Sequence, residues 1–366
     1  FMSHLSISPE NYSTLLEQKV ARCRERFNSL SLPDPQVIAS APEHYRMRAE
    51  FRIWHEGDDL YYAMFDPADP KTPLRVDDFP VASLAICELM PRLRDALIAE
   101  HSLRHRLFQV EFLSTLSGEM LVTLVYHRRL DDSWQAAAEL LSEQLNIQVI
   151  GRSRKQKCVL GRDYVNEVLP INGREFHYRQ YEGGFTQPNA NINCQMIEWA
   201  LEKLGPSEQD LLELYCGNGN FTAPLSRQFR RVLATEISKT SVKAARENFA
   251  ANGIDNVDIL RMSSEEFTSA LNGEREFRRL AEVNLPDYAL NTVLVDPPRA
   301  GLDEGTRALV SRFSRIAYIS CNPETLSRDL QQLSRTHRAS HFALFDQFPY
   351  TDHMECGVIL ERSNAD

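Results

Sequence analysis

Seven short apolar runs follow one another between residues 211 and 362: LLELYC, RVLATEIS, VDILRM, NTVLVDPP, RIAYISCN, ALFDQF and GVILER, most of them separated by stretches with helical spacing. A strand buried on both faces reads as a continuous apolar run, and strands that alternate with helices wind into a parallel sheet covered on both sides. The second half of the chain is thereby restricted to an α/β, doubly wound fold. In such sheets ligands collect beyond the carboxyl ends of the strands. Two of the runs end in chemistry, Asp296-Pro297-Pro298-Arg299 and Ser320-Cys321-Asn322-Pro323. An acid and a thiol are expected to face one crevice.

The loop after the first run, Gly217-Asn218-Gly219-Asn220-Phe221, is the cofactor signal. Glycines after a strand let the backbone approach a ligand, and an acid about twenty residues later can accept ribose hydroxyls. Glu236, nineteen residues after Gly217 and in the next run, fills that role. Phe221-Thr222 stands where a third glycine would be due, which favours a nucleoside smaller than a dinucleotide.

At 366 residues the chain is too long for one ordinary core. Two domains are expected, residues 1–180 and 181–366. In the first, Ser8-Pro9-Glu10 opens a helix whose apolar stripe runs through Tyr12, Leu16, Val20, Cys23 and Phe27, and which ends before Pro33. Tyr45 to Ile53 alternates, with Arg46, Arg48 and Arg52 on the outer face, and turns through Glu56-Gly57-Asp58-Asp59 into LYYAMF. Residues 83 to 100 read as a helix interrupted or kinked at Pro91, and LFQVEFLSTL with MLVTLVYH forms a second hairpin. This half is expected to be an α+β domain on an antiparallel sheet.

Composition excludes several classes. With 43% hydrophobic and 25% charged residues the chain is globular. It has no apolar run of transmembrane length, and residues 3 to 13 lack a basic segment followed by an apolar one, so a cytoplasmic protein without a membrane partner is expected. The seven cysteines form no C-x-x-C pair and no His-rich spacing. Free thiols are expected, with neither metal nor iron–sulfur cluster. A net charge of −10 argues at first against nucleic acid, but only −3 of it falls on residues 1–180. There Arg152, Arg154, Lys155, Lys157 and Arg162 lie within twelve residues free of acids. Phosphate contacts and a solvated surface are equally good readings of that run. Arg104, His105, Arg106, His127, Arg128 and Arg129 flank Phe108, whose ring is suited either to base stacking or to the core.

LELYCGNGNF, FTQPN, VDPPRAG, YISCNPETL and FDQFPYTDHMECG, in this order, resemble the RNA uracil-5-methyltransferase family in its bacterial tRNA (uracil-5-)-methyltransferase branch. HYRMRAEFRIWH and the LFQ hairpin resemble the RNA-binding part of that branch, so the resemblance covers the whole chain. It implies a class I S-adenosylmethionine-dependent methyltransferase, Rossmann-like with a seven-stranded sheet, behind an N-terminal RNA-binding domain. It also implies methyl transfer to C5 of the T-loop uridine at position 54 of tRNA, with the T-arm, or another RNA of T-loop-like fold, as partner of a monomer. Cys321 is then the nucleophile that adds to uracil C6, Glu355 the base that removes the C5 proton, and Asp296 a residue shared by cofactor and catalytic centre. Gln187, Tyr215, Gly217, Asn220 and Glu236 are the further cofactor contacts, and Arg52, Phe108, Arg154, Lys155 and Arg299 the RNA contacts. Backbone N–H groups at the helix after Cys321 are expected to favour its thiolate, and burial to raise the pKa of Glu355.

Departures narrow the substrate. Ribosomal-RNA members of the family carry a cluster-binding cysteine set that this chain lacks, which leaves a 23S rRNA uracil-5-methyltransferase as an alternative. An amino-group RNA methyltransferase would end its D/N-P-P motif in an aromatic residue, where Arg299 stands, and would not need Cys321. A tRNA-remodelling RNA-binding protein would act without cofactor.

Overall fold

The computed structural model describes residues 7–364. Phe1, which stands ahead of Met2 and carries no part of the argument, and the start of the 3–13 stretch lie outside them. The described chain forms two compact units, one from residues 7–12, 41–168 and 179–190, the other from 13–40, 169–178 and 191–364. Each unit is discontinuous in sequence, in contrast to the single boundary expected near residue 180.

A 3-10 turn at Pro9–Asn11 precedes helix α1 (Tyr12–Glu25), and strand β1 is Gln36–Ile38. The first unit then contains β2 (Arg48–Glu56), β3 (Asp59–Asp66), β4 (Asp69–Val76), α2 (Leu84–Ala99), the one-turn α3 (His101–Arg104), β5 (Leu107–Ser114), β6 (Met120–Tyr126), α4 (Asp132–Leu145), β7 (Gln148–Ser153) and β8 (Gln156–Leu160). Both expected hairpins form, and α2 runs unbroken through Pro91. The sheet order is β4-β3-β2-β5-β6-β7-β8. It is antiparallel except between β6 and β7, which pair in parallel across α4 and were not foreseen. Asp131 caps α4 by accepting the Trp134 N–H at 2.9 Å, and the Trp134 ring is fully buried. A Cβ on Gly151 of β7 would stand 2.3 Å from that ring, so only glycine lets this helix lie on the sheet.

Strands β9 (Tyr164–Ile171) and β10 (Arg174–Tyr181) form a separate hairpin. The second unit continues with α5 (Ala190–Leu204), β11 (Asp210–Leu214), α6 (Thr222–Leu225), β12 (Val232–Glu236), α7 (Lys239–Ala251), β13 (Val257–Arg261), α8 (Ser264–Leu271), β14 (Leu290–Val295), α9 (Glu304–Val310), β15 (Arg315–Ser320), α10 (Pro323–Leu333), β16 (His337–Phe345) and β17 (Glu355–Arg362). All seven expected strands are present, but the sheet has eight, ordered β1-β16-β17-β15-β14-β11-β12-β13. The eighth, β1, adds to the edge in parallel with Ala343–Phe345 of β16. Three residues after two prolines carry no readable period, and the pairing partner lies three hundred residues away.

This topology builds the site. Strands β11 to β15 are parallel, so Tyr215, Asp296 and Cys321 follow neighbouring strand ends. Strand β17 runs the other way, with Cys356 opposite Ser320, which brings its first residue, Glu355, to the same edge.

Candidate active site at the carboxyl edge of the sheet

The loop after β11 has the geometry of a ligand cradle. Tyr215 is at φ +58°, an unusual conformation for a residue with a side chain. Gly217 is at φ +57° with nothing within 4 Å of where a Cβ would stand, leaving open space beside the backbone. Its N–H donates to Glu236 Oε1 at 3.1 Å, and the Ser238 N–H donates to Oε2 at 2.8 Å. The carboxylate at the end of β12 is thus oriented by backbone while keeping lone pairs to accept further donors. Asn220 is engaged differently from the expectation: its side-chain amide forms a reciprocal pair with Asn193 of α5, at 2.8 and 2.9 Å. Its carbonyl accepts from the Tyr178 hydroxyl at 2.9 Å. Asn193 was not foreseen, because its position on a helix reads as ordinary periodicity. Gln187 lies in the 179–190 segment of the first unit.

Four reactive groups gather at the adjoining strand ends. Cys321 is half-buried, and Glu355 is 4% exposed with its Oε2 lacking any hydrogen-bond partner. Asp296 lies between them and Glu213 of β11. Glu213 is 1% exposed and accepts the Thr222 hydroxyl. Burial is the main cause in every case. It raises Asp296 to about 7 and Glu213 to about 8, the latter with help from Asp296. Glu355 is raised well above the usual carboxyl range by burial and then by Asp296. Cys321 is pushed up to about 11 by burial, Glu355 and Asp296, against the pull of Arg299. The backbone favours the thiolate as expected, and so does Arg299, but desolvation and the two acids outweigh them. Asn322 itself caps that helix, accepting the Glu324 N–H at 3.2 Å.

Helix α10 also clamps the loop that carries Arg299. The Arg299 carbonyl accepts from Asn322 Nδ2 and Thr325 Oγ1, both at 2.9 Å. Buried Asp329 accepts from the Leu302 N–H at 2.9 Å, the Tyr318 hydroxyl at 2.5 Å and Arg307 at 3.1 Å. The Arg299 guanidinium meets His353 Nδ1 at 3.3 Å. Asn322, Thr325 and Asp329 were missed, although their i, i+3, i+7 spacing marks a single helix face.

In the first unit the expected outward arginines are mostly engaged. Arg48 donates to the Gly184 carbonyl at 2.7 Å and to Thr186, and Arg46 to the Arg48 carbonyl. Arg52 lies 3.9 Å over the Phe108 ring, whose centroid is 3.9 Å from that of His127 in a stacked arrangement, so Phe108 is the middle layer of three. The basic run is partly neutralised: Arg152 pairs with Glu182 and Arg162 with Glu119, both distant in sequence, and Lys157 with Asp163 just beyond the run. Arg154 and Lys155 stand exposed at the β7–β8 turn. Phe185, within FTQPN, is 76% exposed and was passed over. An exposed ring suits base stacking. Among the described residues no cluster of three or more His, Cys, Asp or Glu could hold a metal ion, and no helix is long and apolar enough to cross a membrane.

The tRNA (uracil-54, C5)-methyltransferase of Pyrococcus abyssi, solved in complex with S-adenosyl-L-homocysteine, superposes with a TM-score of 0.73 at 21% identity, over 96% of this chain and 83% of that one. The fold is the Rossmann-like fold of S-adenosylmethionine-dependent methyltransferases, extended here by β1. The tRNA/tmRNA (uracil-C(5))-methyltransferase of Ectopseudomonas mendocina (strain ymp) is 57% identical over 361 residues, covering 99% of this chain and 100% of that protein. The enzyme of the same description from Aromatoleum aromaticum is 54% identical over 357 residues, with 98% and 97% covered. The tRNA (Uracil-5-)-methyltransferase model matches residues 11–363. Matched along nearly its whole length, the chain belongs to the tRNA (uracil-5-)-methyltransferase family.

Proposed function

We propose that this tRNA uracil-C5-methyltransferase acts on the T-loop uridine at position 54 through a covalent thiol adduct. The observation that carries the reading is the pairing of a half-buried thiol, Cys321, with a buried carboxyl, Glu355, that has one oxygen unpartnered. Uracil C5 is too weak a nucleophile to take a methyl group unaided. Cys321 adds its sulfur to C6, and the electron pair of the C5–C6 double bond makes C5 nucleophilic. Once C5 has used that pair to take the methyl group, Glu355 takes the C5 proton, the C–H pair re-forms the double bond, and Cys321 leaves with the pair of the carbon–sulfur bond. Arg299, the nearby cation that favours the thiolate, assists its formation once RNA is bound.

The residues fit S-adenosylmethionine, which supplies an electrophilic methyl group on a sulfonium. Glu236 is placed to accept ribose hydroxyls, the open space at Gly217 admits a ligand against the backbone, and Asp296 is an acid that a nearby cationic centre would help to ionise. Tyr215, and Asn220 through its backbone, complete the proposed contacts of this unit.

The target base is stacked in a folded T-arm and must be flipped out, at a cost of a few kcal/mol, roughly. The layered Arg52–Phe108 stack and the exposed Arg154 and Lys155 supply RNA contacts that offset it, with Arg299 near the flipped nucleotide. The reading takes the chain as a cytoplasmic monomer.

The test is tritium release from tRNA labelled at uracil C5, with and without S-adenosylmethionine, for wild type and Cys321→Ala. Cofactor-dependent release that the substitution abolishes is expected. Release that persists in Cys321→Ala, or methylation of an amino group instead, would overturn the reading.

A further inference from the structure

Glu213 has no part in the scheme above, yet it is among the most deeply buried acids of the molecule. It lies one residue before the end of β11, whose neighbour β14 leads into Asp296, and one strand beyond Cys321 stands Glu355. Two buried carboxyls, Glu213 and Glu355, and the part-buried Asp296 between them therefore share one sheet edge. Among the described residues none of them is in an ion pair. The cations on elements packed nearby are otherwise engaged: Lys19 of α1 is 2.6 Å from Asp346, Arg26 acts on Cys23 and Cys356, and Arg299 meets His353. The remaining titratable groups facing the three are Cys321, Cys356, Cys216 and Tyr178. Buried like charges without counter-ions cannot all ionise, so the free site holds protons. A base that already carries a proton cannot remove one from C5.

We propose that Glu213, Asp296 and Glu355 form one proton-holding array governed by the charge beside it, releasing a proton when the cofactor's sulfonium binds and regaining proton affinity when methyl transfer cancels that charge. The inference rests on the reading of Cys321 and Glu355 given above. It times the base: Glu355 is ionised with the cation present and becomes strongly basic at the step at which the C5 proton must leave. In that sequence the C5 electron pair forms the bond to methyl, and the pair of the broken carbon–sulfur bond stays on the cofactor's sulfur, which becomes neutral. Glu355 then takes the C5 proton, the C–H pair restores the C5–C6 double bond, and the Cys321 sulfur departs with its own pair. The elevated proton affinities of the three acids and of Cys321 agree, since Glu355 can pass the proton on to the departing thiolate.

The experiment is isothermal titration calorimetry of the full chain with S-adenosylmethionine and, separately, S-adenosylhomocysteine, in buffers of one pH but different ionisation enthalpy. Release of about half a proton or more is expected with the sulfonium, and much less with the neutral thioether. Affinity for the sulfonium should rise by up to about tenfold per pH unit across neutrality. Glu355→Gln should bind both and lose most of the release, which separates the array from the ligand's own amino group. Glu213→Gln should lower the release at pH 7 and flatten the rise in affinity below about pH 8, the range in which Glu213 keeps its proton in the free site. Equal proton release with both ligands, or full release in Glu355→Gln, would overturn the inference. Failure of both ligands to bind would instead remove the cofactor assignment beneath it.

Discussion

Two acids three residues apart on one strand meet opposite fates. Asp210 opens β11 with its side chain fully buried and receives four donors: Arg230 Nε at 3.0 Å, Arg230 Nη2 at 2.6 Å, and the backbone N–H groups of Arg231 and Ala289 at 3.0 and 2.6 Å. Burial alone would raise its pKa, but the Arg230 bond and the backbone donors hold it below the ordinary value. Glu213, near the other end of the strand, has one hydroxyl donor and is pushed up to about 8. Asp210, nearer the surface and with four donors, is thus held as an anion at one edge of the sheet, and Glu213, deeper and with one donor, as a neutral acid at the other, so depth and the supply of donors together make the difference. The amino edge spends its acids on structure, whereas the carboxyl edge leaves them unpaired and reactive, as expected where ligands bind.

The largest expected effect sharpens that division. Cys321→Ala and Glu355→Gln should each lower single-turnover methylation by about a thousandfold or more while leaving thermal stability near wild type. Asp210→Asn should do the reverse, leaving the rate of the folded fraction intact but costing about 1–3 kcal/mol in denaturant unfolding, because backbone N–H groups lose a charged acceptor and the half-exposed Arg230 loses its partner. The depressed pKa of Asp210 means that its contribution is present above the unfolded pKa, near 4, and is lost as pH falls through the folded value. Asp210→Asn should lack that acid-side transition.

Glu213→Gln should have the opposite sign. A folded pKa raised to about 8 means the fold binds this proton more tightly than the unfolded chain, so wild-type stability falls as pH rises from about 4.5 to 8. The glutamine variant should escape that loss. Its gain should be near zero at pH 4 and on the order of 2 kcal/mol at pH 8 by chemical denaturation. A loss of stability at pH 8 would break the comparison by showing that Glu213 is ionised and satisfied.

The smallest effect carries the same contrast to the first unit. Arg154→Glu with Lys155→Glu should weaken tRNA binding several-fold at low salt and reduce the salt dependence by about two phosphate contacts. Arg162→Gln, which gives up a partly exposed ion pair with Glu119, should change stability by no more than about 1 kcal/mol and RNA affinity less. Equal losses of affinity from paired and unpaired cations would show that pairing does not mark the binding face.

Much of this was legible because it is local. The period of each apolar run declared the seven strands, and their endings placed Asp296, Cys321 and the Gly217 loop at one edge before any contact was known. What escaped depended on partners far along the chain. Asn193 claims the Asn220 amide, Glu182 and Glu119 neutralise arginines in a run that contains no acid, and β1 finds its place beside β16. The sequence by itself determined which residues carry chemistry and which strand ends present them, since side-chain type and hydrophobic period are properties of neighbours. Only the tertiary structure decided their protonation. Whether a buried acid is an anion like Asp210 or a proton carrier like Glu213 depends on its depth and on how many donors reach it, and those donors arrive from elements that folding alone brings together.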